Sequence, residues 1–117
     1  MSKLEEAYHQ IDGDWEGVTK RLMGEELVGR FAKKFLEDES FTKLKDALQA
    51  GNVDEAFMAA HTLKGVCQNL GFDKLFAPAN ELTEILRAGS LEGTQELFVQ
   101  VEEQYNITIG ILGTALA

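Results

Sequence analysis

The stretch Asn52-Val53-Asp54-Glu55-Ala56-Phe57-Met58-Ala59-Ala60-His61-Thr62-Leu63-Lys64-Gly65-Val66-Cys67-Gln68-Asn69-Leu70-Gly71 decides the fold. Asn52 and Glu55 form a capping-box-like pair that starts a helix. Val53, Ala56, Ala60, Leu63, Cys67 and Leu70 follow at spacings of 3, 4, 3, 4 and 3, the apolar seam of a bundle helix. Gly71 stands where a helix takes its C′ glycine. The pattern predicts a helix over 53–70 with one buried face.

Outward from this stretch the same period recurs. On the C-terminal side Leu75, Ala79, Leu82 and Leu86 fall at spacings of 4, 3 and 4, ahead of Gly89. Pro78 lies inside these turns. It lacks an N–H and crowds the carbonyl four residues back, which predicts a kink or a late helix start. After Ser90 a last helix presents Leu97, Val101, Tyr105, Thr108 and Leu112. On the N-terminal side Leu27, Phe31 and Phe35 fall at i, i+4 and i+8, predicting one apolar face. Glu37-Asp38-Glu39-Ser40 interrupts that helix, and Phe41, Leu44 and Leu48 continue its apolar face to Gly51. Ser2 with Glu5 caps a short first helix ending near Gly13, and Asp14 caps a second reaching about Met23 and Gly24.

No run of alternating apolar and polar residues, the mark of a half-buried strand, is long enough to matter. The expected fold is all-α: an antiparallel up-down four-helix bundle of stretches 25–50, 53–70, 74–88 and 92–113. One or two short N-terminal helices cover an end. No repeat or linker divides residues 1–117, so one domain is expected.

Composition narrows the function. The chain has 117 residues, 44% of them apolar and 26% charged, as a soluble globular protein does. Lysine plus arginine is 11 and aspartate plus glutamate is 20, for a net charge of −9. So acidic a chain repels phosphate backbones and anionic lipid, which argues against nucleic-acid and membrane partners. One cysteine makes no internal disulfide, and Cys67 on the apolar seam reads as a small buried hydrophobe. The start, MSKLEEAYHQ, has no apolar signal-peptide region, so a cytoplasmic setting is expected. The initial Met1 and the lack of linker sequence point toward a complete product.

The two histidines differ in company. His9 reads as a solvated helix residue. His61 falls about 135° from the centre of the apolar seam, at about 100° per residue, and so faces solvent. Gly65, one turn on, points outward as well. An interior helix glycine costs about 1 kcal/mol relative to alanine, so Gly65 weakens the helix with no packing in return. Its use is clearance beside the imidazole. Lys64 at i+3 brings an ammonium to anything attached to His61. Phe57, Met58 and Gln68 border the same face and would form a docking rim. A neutral imidazole is nucleophilic near pH 7, and a phosphoryl group on it carries about two negative charges, which Lys64 would offset.

Residues Ala60–Gly71 resemble the signature of the histidine-containing phosphotransfer (HPt) domain. His61, Leu63, Lys64, Gly65, Asn69, Leu70 and Gly71 carry the match, and the helical plan extends it over roughly residues 14–113. The resemblance implies a phosphohistidine carrier in a multistep phosphorelay. Four helices in one chain point to a monomer, and the sequence holds no kinase or ATP-binding motif. His61 would accept phosphate on Nε2 from a receiver-domain aspartate, and a second receiver would take it. Lys64 would steady the phosphoryl group and Gly65 would admit the receiver. Asn80 or Thr83 on the following helix would orient the imidazole. A hybrid histidine kinase would lie upstream. Magnesium would belong to the receiver, leaving this chain no cofactor and no metal. Cys67 and Gln68 stand where the family usually has small residues. Gln68 either limits docking or contacts the phosphate.

Other chemistries lack support. Gly24 and Gly29 have P-loop spacing, but Arg30-Phe31 follows where Lys-Ser/Thr is required and no strand precedes. No carboxylate lies three or four residues from His61, so the helix builds no base–orienter pair. The acidic runs 37–39 and 102–103 read as solvated faces. Asn106-Ile107-Thr108 matches a glycosylation sequon, irrelevant in a cytoplasmic chain. The alternative to a carrier is an interaction-only bundle that binds a receiver or another helix without taking phosphate. A dimer pairing helices from two chains is unnecessary when one chain offers four.

Overall fold

Three side-chain caps set helix starts in the computed structural model, which describes residues 1–117. Ser2 Oγ accepts from the Glu5 N–H at 3.0 Å, Asp14 Oδ1 from Gly17 at 3.0 Å and Asn52 Oδ1 from Glu55 at 3.1 Å. Each oxygen satisfies one of the N–H groups that a helix leaves unpaired at its start. The helices are α1 (Lys3–Gln10), α2 (Trp15–Arg21), α3 (Glu25–Glu37), α4 (Ser40–Gln49), α5 (Val53–Leu70), α6 (Asp73–Arg87) and α7 (Thr94–Ala115). The chain is all-helical, with no strand.

The expected 25–50 stretch is two helices. Asp38 is extended, and its Oδ1 accepts the Ser40 N–H at 2.8 Å, so the chain breaks at the acidic run. Here α5 packs against α4 and α6, α6 packs against α7, and α3 touches α5 and α7. Aromatic rings tie the α3–α4 corner to α7. Phe41 stacks on Tyr105 at 4.0 Å between centroids, Phe98 stacks on Phe41 at 5.5 Å, and Phe35 meets Tyr105 edge-on at 5.9 Å.

The inward faces differ from expectation in two places. On α3 the buried residues are Val28, Ala32 and Phe35, while Leu27 and Phe31 are 39% and 37% exposed. Steps of four overshoot a helical turn by about 40° each, so Leu27 and Phe35 lie about 80° apart and cannot share one narrow stripe. On α7 Phe98 takes the inner place, and Leu97 and Tyr105 are half-buried. Pro78 does not delay α6, which starts five residues earlier at Asp73. The ring is buried on the inward face of α6, where its apolar surface is removed from water.

The N-terminal segment seats against the C-terminal end of α5. The buried Tyr8 hydroxyl donates to the Leu70 carbonyl at 2.7 Å. The Asp14 N–H donates to Gly71 O at 2.9 Å, and Lys74 pairs with Asp12 at 2.6 Å. Gly71 is left-handed at φ 73°, and a Cβ there would lie 3.0 Å from the Asp14 carbonyl oxygen. Glycine therefore meets two needs at once: the turn and the close approach.

Candidate functional site

His61 sits mid-way along α5 with an exposed side chain. Its ring lies over Phe57, one turn back, at 5.7 Å and 20° between planes. Phe57 is half-buried against the core, and the Arg87 guanidinium lies 4.9 Å from its ring centre. Arg87 in turn pairs with Glu84 at 3.0 Å. Phe57 thus packs as well as borders the face. Met58 is 67% exposed, and Gln68 is exposed.

Lys64 is half-buried and forms neither ion pair nor side-chain hydrogen bond, so its ammonium is free. A Cβ on Gly65 would meet nothing within 4 Å. The space one turn beyond His61 is open. Between Ala56 and Phe72 the sole formally charged side chain is Lys64.

The two expected orienters do not hold the imidazole. Thr83 is buried, and its hydroxyl donates to Ala79 O at 2.7 Å. A threonine on a helix returns its proton to the carbonyl one turn back, and this one does. Asn80 is half-buried and makes no side-chain hydrogen bond. The ring nitrogens of His61 have no partner within the chain, and stacking on Phe57 is the contact that orients the ring.

Arg21 and Arg87 are cations beside this face that sequence reasoning missed. Arg21, on α2, donates from Nε and Nη2 to Asn69 O at 3.2 and 2.9 Å, and from Nη2 to Gln68 O at 3.2 Å. These carbonyls belong to the last turn of α5: Asn69 O has no backbone donor, and Gln68 O also accepts the Gly71 N–H at 3.4 Å. A cation there also meets the negative end of the helix dipole. With Gly65, Gln68 and Asn69, Arg21 lines a shallow depression of about 320 Å³ that has no apolar side chain. Burial and the nearby Asp14 push the Asp73 carboxyl upward, and Arg21 pulls it back down. Neither arginine leaves a signal in the sequence, because each reaches the face from a different helix.

Two buried acids stay protonated. Burial, then Asp38, pushes the Cys67 thiol up. Burial pushes the Tyr8 phenol up, partly offset by Arg21. Cys67 is therefore a packing residue, as the seam predicts. No group of three or more His, Cys, Asp or Glu side chains gathers as a metal site would require. No helix is long and apolar enough to cross a membrane.

No curated protein and no solved structure matched the chain. Comparison with protein families matched residues 31–107 to the Hpt domain. That span is about two-thirds of the chain and contains α4, α5 and α6 whole, with most of α3 and α7. Hpt domains are phosphotransfer carriers of two-component signalling, distinct from the kinases and receivers they serve. The matched span contains α5 with its exposed His61, and this chain belongs to the Hpt domain family.

Proposed function

We propose that the chain is a monomeric phosphohistidine carrier of the cytoplasm, placed between two receiver domains of a phosphorelay fed by a hybrid histidine kinase. Its four longer helical units form an up-down bundle that serves as a rigid mount for one nucleophile. The observation that carries this reading is the conjunction at α5: an exposed His61, open space at Gly65 and a free Lys64 within one turn.

The neutral imidazole attacks phosphorus through the Nε2 lone pair. An N–P bond forms as the P–O bond of the partner's aspartyl phosphate breaks, and the electron pair leaves with the carboxylate. The Nδ1 proton stays on the ring through the transfer. The reverse sequence hands the phosphoryl group to a second receiver. Lys64 offsets charge on the phosphoryl oxygens. Gly65 lets the partner backbone close in, and Met58, Gln68 and the outer edge of Phe57 meet its surface. Asn80, with no internal partner, is free to reach the imidazole on docking. Thr83 would have to give up its bond to Ala79 first. Magnesium sits with the partner aspartate, and this chain supplies no cofactor.

Phosphotransfer from a panel of receiver domains charged with acetyl phosphate tests the reading. Acid-labile, alkali-stable label should appear on wild type and be lost in His61→Gln. Receiver binding without label would favour the interaction-only bundle.

A further inference from the structure

Two unpaired cations flank the open glycine in a chain of net charge −9. Lys64 is one. Arg21, exposed and in no ion pair, is the other. The Arg21 guanidinium is divided in its duties. Nε and Nη2 are committed to the carbonyls of Gln68 and Asn69. Nη1 makes no hydrogen bond in the chain and keeps two N–H donors for an outside acceptor. The group lines the polar depression that Gly65 leaves open. A planar fork held along one edge loses little freedom when the other edge binds, unlike a lysine swinging on a flexible stem.

We infer that Arg21 is a partner-specificity residue: its free Nη1 edge engages a carboxylate on the surface of the docking receiver, beside the phosphoryl site. This inference rests on the carrier reading and adds a contact to it. The occupant is acidic because the depression is lined by Arg21, Gly65, Gln68 and Asn69, with Lys64 next in the chain. Asp14 and Asp73 stand near Arg21, but neither lines the depression nor pairs with it. The contact acts on association, where a charge at the rim of an interface has its main effect.

The test uses the receiver that labels wild type fastest, at about 0.01 M and about 1 M salt, where screening lengths are about 30 and 3 Å. Direct labelling with phosphoramidate, which needs no docking, runs alongside. Arg21→Gln should raise KM for the receiver about fivefold at low salt with kcat unchanged. The gap should close at high salt. Arg21→Lys keeps the charge, loses the fork, and should recover more than half of the effect. Phosphoramidate should label all three proteins alike. A Gln variant with wild-type KM overturns the inference, as does a Lys variant as impaired as Gln, which would leave Arg21 a helix cap alone. Wild type labelled by phosphoramidate but by no receiver overturns the inference together with the receiver partnership. Wild type labelled by neither donor overturns the carrier reading itself.

Discussion

Arg21 Nη2 donates to the carbonyl oxygens of Gln68 and Asn69 at 3.2 and 2.9 Å, and so closes the last turn of the histidine helix from a different helix. Tyr8 does the same for the next carbonyl, Leu70, from α1. The polar end of α5 is thus capped by the N-terminal segment, ahead of the span matched to the family.

Tyr8→Phe should therefore weaken the fold by about 1–2 kcal/mol, since it leaves the Leu70 carbonyl beside an apolar ring. Denaturant melts of the two proteins measure it. The loss should appear as a shifted midpoint with the slope unchanged.

Gly65→Ala should separate stability from function. Nothing lies within 4 Å of the added methyl, and alanine is the better helix former. The variant should gain up to about 1 kcal/mol in a denaturant melt. Phosphate uptake from a receiver should fall at least about tenfold, because one well-placed obstruction costs a docking interface over about 1.4 kcal/mol. A variant both stabler and equally fast would remove the clearance role of Gly65.

Gly71→Ala has the opposite sign for stability. Its left-handed φ of 73° costs an L-residue about 1–2 kcal/mol. The approach of the Asp14 carbonyl at 3.0 Å adds to that. Since Asp14 also donates to Gly71 O, the α1–α2 segment should loosen with it. Faster amide exchange in α1 and α2 than in α5 and α6 would register this.

Alkali should unfold the protein through its buried acids. The ordinary thiol value is 9.0 and the ordinary phenol value 10.0, and Cys67 and Tyr8 are both raised above them in the fold. A raised acid binds its proton more tightly when folded. Its contribution is complete below the unfolded value and drains away as pH climbs above it. Stability should therefore hold to about pH 9 and fall steeply beyond pH 10 as the unfolded chain ionises first. Melts of Cys67→Ala and Tyr8→Phe should show shallower alkaline slopes than wild type. In the native state Cys67 should resist alkylation at pH 8, and react once unfolded.

The histidine helix was legible because everything that defines it is local. The Asn52 cap, the seam from Val53 to Leu70 and the Gly71 stop all lie within one turn of what they act on, and α5 spans 53–70 as predicted. The outward placement of His61 and Gly65, with Lys64 at the border beside them, followed from helical geometry alone. The α3 face was misread because Leu27 and Phe31 are larger than the Val28 and Ala32 that the core admits beside Phe35. Size in the sequence does not say which side a neighbouring helix will cover.

What the sequence determined by itself, then, was the helical class, the break at residues 37–40 and the chemistry displayed on α5. Each depends on spacing and on caps that act within four residues. The tertiary structure decided what surrounds that chemistry. It brought Arg21 from α2 and Arg87 from α6 to the histidine face, turned the Thr83 hydroxyl back onto Ala79 and set Phe57 under the imidazole. Such contacts join residues 30 to 48 positions apart or choose among rotamers, and packing between helices makes that choice.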